Sequence, residues 1–246
     1  MLDHIQAVIF DLYGTLIHIH TDEADIPGLW KPLCYFYAYY GARYTPETLM
    51  ADYRALVERE EQAARQRSGV AAAEINLERV FAALFTRRGV EVSPEVVRCV
   101  GQMFRANPTR TAELYPGARA LLEDLRAAGK TVCLLSNAQR VFTEYEMKML
   151  DIYDSFDHLR ISSDYDFKKP SAAYYQCLLR ELPMPAEQML MVGNSPEDDM
   201  APAAALGLHT CLLNTDHVAP PPCCEVVLDG ADYPALRKLL GLRASS

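Results

Sequence analysis

The sequence predicts an α/β protein built on a parallel sheet and interrupted by an all-helical insert. Three observations carry the prediction. Short apolar runs alternate with helical patterns at 7–10 and again from residue 113 to the end. Residues 29–108 show helical patterning and no convincing strand. Four of the placeable strands stop at polar residues, where an open parallel sheet keeps its ligand site.

Taken in order, Ala7-Val8-Ile9-Phe10 is too short for a helix and reads as a buried strand ending at Asp11. The insert holds four helices. The first runs from Pro32 to Tyr40, and the second is opened by Thr45-Pro46-Glu47. The third spans Asn76 to Arg88, and Ser93-Pro94-Glu95 opens the fourth. Leu33–Tyr40 is apolar or aromatic on nearly every side, the pattern of a helix buried all round. After Pro116-Gly117 comes a helix to Gly129, and strands are expected at 131–135, 159–161, 189–192, 210–213 and 225–228. Helices follow Asn137, span 171–182, end at Gly207 and close the chain at 232–240. Such alternation implies right-handed crossovers and a parallel sheet. The simplest partition is a split core of 1–17 plus 113–246 around an insert of 18–112.

At 246 residues, 50% apolar and 23% charged, the chain can bury a core unaided and does not have the composition of a disordered polymer. Its net charge of -9 argues against nucleic acid as a partner. No apolar run approaches the ~18 residues of a membrane span, and Met1–Gln6 lacks the order of a signal peptide. Seven cysteines without a CxxC pair read as reduced thiols in a cytoplasmic protein.

The strand ends read Asp11-Leu12-Tyr13-Gly14-Thr15, Leu135-Ser136-Asn137, Lys168-Lys169-Pro170 and Val192-Gly193-Asn194-Ser195-Pro196-Glu197-Asp198-Asp199. A carboxylate, a hydroxyl, an ammonium and further acidic or amide groups would meet at one sheet edge. That set suits covalent catalysis by a carboxylate with a divalent cation nearby.

With these four motifs in order, the sequence resembles the haloacid dehalogenase (HAD) superfamily. The resemblance implies a Rossmann-like parallel-sheet core with an inserted four-helix cap. Asp11 then matches the nucleophile, and Gly14 and Thr15 the turn that follows it. Thr15, Ser136, Asn137 and Lys169 match substrate-binding positions, and Tyr13, Ser136 and Lys169 are placed with Asp11 among the catalytic positions. The proline after Lys169 selects it over Lys168. Asp199 matches the second acidic position of the fourth motif, with its helix beginning close by because Pro202 is tolerated only in a first turn. Asp198 and Glu197 read as solvated charges. A Mg2+ ion would be held by Asp11, the Tyr13 carbonyl, Asn194 and Asp199.

Two departures shape the functional expectation. Family phosphatases carry an acid/base Asp where this chain has Tyr13, and a phenol titrating near pH ~10 is in the wrong state for a base near neutrality. Tyr at this place also occurs in the 2-haloacid dehalogenase branch, which uses no metal. The second departure is Asn194 in place of an Asp: its oxygen can meet Mg2+ but brings no charge. The dehalogenase pattern in turn expects an Asn where Pro196 stands and a halide-cradling arginine, for which Arg43 is the nearest candidate. The preferred expectation is a Mg2+-dependent phosphatase on a small anionic, phosphorylated metabolite. Its substitute acid would come from His18, His20, Asp22 or Glu23, or its substrate would need little protonation. The alternatives are a metal-independent 2-haloacid dehalogenase and a phospho-ligand-binding protein with little turnover. No feature of the sequence specifies an oligomeric state.

Overall fold

The computed structural model describes residues 2–22 and 26–242. In chain order the first elements are β1 (Ala7–Phe10), β2 (Ile17–Thr21), α1 (Ile26–Tyr39), α2 (Pro46–Ser68), α3 (Leu77–Thr86), α4 (Pro94–Ala106) and β3 (Thr109–Leu114). They are followed by α5 (Ala118–Ala127), β4 (Thr131–Ser136), α6 (Arg140–Met149), β5 (His158–Ile161), α7 (Ala172–Leu179) and β6 (Met189–Gly193). The last are α8 (Ala201–Ala205), β7 (His209–Asn214), β8 (Val226–Asp229) and α9 (Tyr233–Leu239).

Six strands form one parallel sheet in the order β5-β4-β1-β6-β7-β8, an α/β fold with helices on both faces. Alternation along β1 sorts its side chains between two cores, as a period of two requires. Val8 and Phe10 join Leu134, Val192, Leu121 and Leu236 in one; Ala7 and Ile9 join Leu135, Met191, Tyr174 and Leu178 in the other. β1 is central, paired with β4 on one side and β6 on the other. Phe10 is level with both Leu134 and Val192. Asp11, Ser136-Asn137 and Gly193-Asn194 therefore leave the sheet at one carboxyl edge, at the point where the strand order changes direction.

Residues 26–106 supply four helices with an apolar cluster of their own, including Leu33, Tyr37, Val80, Phe81, Phe85 and Val100. Val141 of α6 belongs to it as well. Gly101 permits that approach, since a Cβ there would lie 2.4 Å from Val141 Cγ2. The second helix opens where Thr45 was placed as a start, with a reciprocal cap between Thr45 and Thr48.

Three local expectations are corrected. α1 begins before Pro32, which lies inside it, because Leu29, Trp30, Leu33 and Tyr37 share one buried helix face that continues back past the proline. Leu33–Tyr40 is not buried all round: Tyr39 is 80% and Tyr35 58% exposed, on the face opposite Leu33 and Tyr37. Strands β2 and β3 were not expected; they pair antiparallel, Ile17 with Leu114. This two-stranded stalk crosses both expected boundaries, 17/18 and 112/113. Its sequences (IHIHT and TRTAEL) are polar every second residue and give no apolar run.

Candidate active site

Asp11 is the first residue beyond β1, held by its N–H donating to the Val192 carbonyl at 2.9 Å. The loop before α7 brings Lys169 to it. The Lys169 ammonium donates to Asp11 Oδ1 at 2.7 Å and to Asp199 Oδ1 at 2.6 Å. All three side chains are nearly sealed from solvent. Burial alone would depress the lysine, but the charges of Asp11 and Asp199 hold it above the ordinary lysine range. Asp199 is pushed up to about 6, by burial first; Lys169 pulls it down and the Asp11 charge pushes it up further. Two carboxylates thus share one cation in a low-dielectric niche.

The loop geometry explains why these residues occupy these places. Asp199 lies in a wide helical turn over Pro196–Met200, with α8 beginning at Ala201 and Pro202 in its first turn. Its Oδ2 accepts from the Ser195 N–H at 3.0 Å. That fold-back passes directly over Gly193, where a Cβ would sit 2.2 Å from Asp199 Oδ2. Asn137 reads the lysine loop through both ends of its amide: Oδ1 accepts from the Lys169 N–H at 2.8 Å, and Nδ2 donates to the Lys169 carbonyl at 3.1 Å. The Tyr174 hydroxyl donates to the Ser136 carbonyl, and the Tyr175 hydroxyl to the Asp198 carbonyl. Lys168 lines a separate cavity of about 380 Å3 together with Glu61, Arg65 and Gln139.

Thr15 Oγ1 lies 3.4 Å from both Asp11 Oδ2 and Asn194 Oδ1. The Asn194 amide packs on Gly14, where a Cβ would be 2.3 Å from Nδ2, and Gly14 has the positive φ (78°) that glycine tolerates. Ser136 Oγ is buried and has no hydrogen-bond partner among the described residues, a donor left free for a ligand oxygen. Asp198 is a correction: it is half-buried, accepts from Asn137 Nδ2 at 3.3 Å, and burial raises its pKa. Glu197 is exposed as expected.

The Tyr13 side chain leaves this group. Its hydroxyl donates to Glu146 Oε2 and lies 2.9 Å from Thr143 Oγ1, both on α6. Glu146 in turn accepts from Arg105 of α4 at 2.7 Å, and the guanidinium stands over the Tyr13 ring. Burial first, and then the Glu146 charge, push the phenol well above its usual 10. A side-chain catalytic role for Tyr13 does not fit this geometry, because the hydroxyl is committed to α6 and holds its proton. Tyr13→Phe should therefore lower stability by about 1–3 kcal/mol, the cost of leaving buried Glu146 and Thr143 without that partner. It should change kcat less than about threefold, since ~0.7 kcal/mol or less in the barrier is at stake. Urea unfolding and steady-state rates check both, and a crippled kcat at unchanged stability would contradict it.

Among the described residues, none of the substitute acids bonds to Asp11, whose side-chain partners are Thr15 and Lys169. His18 lies 3.6 Å from Glu113, Asp22 pairs with Arg110 at 3.4 Å, and His20 is exposed; Glu23 lies outside the described residues. Arg43 is exposed in the turn between α1 and α2. No motif in the sequence marks Tyr174, Tyr175, Arg105 or Glu146, and Gly193 enters only as part of the fourth motif. The one usable signal was Thr143 and Glu146, polar residues three apart on a helix that also buries Val141 and Met147.

The donors fit a hard cation. Asp11, the amide oxygen of Asn194 and the backbone carbonyl of Tyr13 are all oxygen ligands, the chemistry Mg2+ prefers. Among the described residues no three His, Cys, Asp or Glu side chains cluster as a metal site, so amide and carbonyl oxygens would have to contribute. Asn194 turns its oxygen, not its NH2, toward Thr15 on the Asp11 side, because its Nδ2 donates to Asp216 at 2.7 Å.

A parallel α/β sheet with an Asp-Lys-Asp group at its central carboxyl edge defines a class of hydrolase. Residues 5–207 match the family model described as haloacid dehalogenase-like hydrolase, and the chain belongs to that family of enzymes. It is 30% identical over 213 residues to the phosphoglycolate phosphatase of Rhodospirillum rubrum, covering 85% of this chain and 79% of that one. It is 24% identical over 215 residues to the (S)-2-haloacid dehalogenase H-109 of Pseudomonas putida, covering 85% and 86%. Among solved structures, a 2-haloacid dehalogenase from Pseudomonas syringae pv. Tomato DC3000 superposes with a TM-score of 0.63 at 19% identity, covering 96% of this chain and 98% of that one. No helix among the described residues is long and apolar enough to cross a membrane.

Proposed function

We propose that this hydrolase is a Mg2+-dependent phosphatase acting in the cytoplasm on a small phosphorylated metabolite, with residues 18–112 as a cap over a core of 1–17 and 113–246. The observation that carries the reading is the Asn194 amide, held with its oxygen toward Thr15 and Asp11. The phosphoglycolate phosphatase relative supports it. So does the exposure of Arg43, the nearest candidate for a halide-cradling arginine.

In this reading Asp11 attacks phosphorus, forming an aspartyl phosphate as the bond to the leaving oxygen breaks. Water then attacks the same phosphorus, the bond to Asp11 breaks, and inorganic phosphate leaves with the carboxylate restored. Asp11 Oδ1 is tied to Lys169, so Oδ2, reached only by the long Thr15 contact, is the freer oxygen for attack. Ser136 Oγ and Asn137 lie at the strand end that would receive the transferring oxygens. Lys169 offsets negative charge on the nucleophile and on the transferring group. Asp11, the Tyr13 carbonyl, Asn194 and Asp199 would hold Mg2+, which supplies charge stabilisation to the phosphoryl oxygens. With the Tyr13 hydroxyl committed elsewhere, leaving groups that need no proton are favoured, namely acyl and aryl phosphates.

The test is turnover of p-nitrophenyl phosphate and acetyl phosphate in Mg2+ and then in EDTA. Turnover lost in EDTA is the expected result. Chloride release from 2-chloropropionate that persists in EDTA would replace this reading with the dehalogenase one. Tight phosphate-ester binding without turnover would replace it with the binding one.

A further inference from the structure

We propose that Asp216 is a positioning residue for the cation site, supplying at one remove the carboxylate that Asn194 lacks. The inference rests on the phosphatase reading above. A primary amide has two ends that nearly superimpose, one accepting and one donating. Turned the wrong way, Asn194 would aim two N–H groups at a cation. Asp216 is an acceptor only, and its Oδ2 takes the Nδ2 hydrogen at 2.7 Å. That choice leaves Oδ1 facing Thr15 Oγ1 at 3.4 Å, on the side of the nucleophile.

The loop after β7 is built to hold Asp216 there. Asn214 closes it, accepting from the Val218 N–H at 2.8 Å and donating to the Val218 carbonyl at 3.0 Å. Thr215 Oγ1 donates to the Gly14 carbonyl at 2.7 Å, tying the loop to the turn that follows Asp11. Asn194 is thus clamped between Gly14 and Asp216. The charge account agrees. An Asn in a carboxylate position removes one negative charge from the site, and Asp216 returns one a single hydrogen bond away. Because Asp216 is exposed, its charge is available without a large desolvation cost. It also lies beyond residues 5–207, the span of the family match, and outside every motif read from the sequence. Partners behind a metal ligand fix its orientation and raise its basicity, and their loss typically costs about 10–100-fold in metal affinity.

Calorimetric titration with Mg2+ alone tests this on wild type, Asp216→Ala, Asp216→Asn, Asn194→Asp and the Asn194→Asp/Asp216→Ala double variant. Asp216→Ala should weaken Mg2+ about tenfold or more, while its melting temperature in EDTA stays at the wild-type value. Asp216→Asn keeps an acceptor without the charge and should fall between. With a carboxylate at 194 the dependence should vanish or reverse, since two like charges would then face each other. Asp216→Ala binding Mg2+ within twofold of wild type would overturn the inference and leave the phosphatase reading standing. Wild type that binds no Mg2+ would overturn the phosphatase reading and, with it, this inference.

Discussion

Asparagine at position 11 is expected to remove turnover almost completely and to change the pH dependence of stability. The amide cannot attack phosphorus, and loss of a nucleophile typically costs on the order of 10^4-fold or more in kcat. The stability side follows from the electrostatics around Lys169. Asp199 is raised to about 6 by burial, with Lys169 opposing and Asp11 adding to the rise. A carboxyl raised above its unfolded value of 3.8 binds a proton more tightly in the folded state, so its contribution to stability falls as pH rises through about 6. Neutralising position 11 removes one cause of that rise. The folded Asp199 pKa drops, and the penalty above pH 6 shrinks. Lys169 loses one of its two counter-charges throughout the range from pH 4.5 to 7.5, so in EDTA the melting temperature of Asp11→Asn relative to wild type should rise as pH goes up across it. Acid-quenched wild type mixed with acetyl phosphate should carry a phosphoryl adduct that the variant lacks. Turnover in Asp11→Asn within tenfold of wild type would remove Asp11 from the nucleophile role.

The sheet was legible in the sequence because its signals are local. Ala7–Phe10 is buried on both faces and leaves only an apolar run ending at a carboxylate, and the same logic located β4, β6 and β7 to within a residue or so. Edge strand β8, with its alternating exposure, was placed one residue early. The stalk of β2 and β3 escaped because His18, His20, Arg110 and Glu113 break any apolar pattern, and its pairing joins residues nearly a hundred apart. The gathering of Asp11, Lys169 and Asp199 was readable in outline, since each follows a strand or precedes a helix at the same sheet edge. What surrounds them was not. Gly193 matters only because Asp199 folds back over it, and Asp216 only because Asn194 has a free NH2 end to be fixed. Tyr13 shows the difference most plainly. Its position in the motif suggests chemistry, whereas its hydroxyl is held by a glutamate 133 residues away.

Lys169→Met should be the most destabilising single change at the site, and its cost should depend on pH in a defined direction. Lys169 is 3% exposed and is the cation shared by Asp11 and Asp199. Methionine fills similar volume, so packing is nearly conserved and the loss is electrostatic. Two buried carboxylates then stand without their counter-charge, and breaking a buried pair in this way costs about 3–5 kcal/mol. The variant can relieve part of that cost by protonating one of them. Without the ammonium that lowers it, the folded pKa of Asp199 rises further above 3.8. Stability is then regained as pH falls through that raised value and lost as pH climbs above it. Urea midpoints should consequently show a deficit several times larger at pH 8 than at pH 5, and Mg2+ should recover part of the deficit at pH 8 by replacing the missing positive charge. A neutral surface substitution would show none of this pH dependence. An equal deficit at the two pH values, or one below about 1 kcal/mol at pH 8, would mean that the Asp11-Lys169-Asp199 group is not the tightly coupled unit its distances describe.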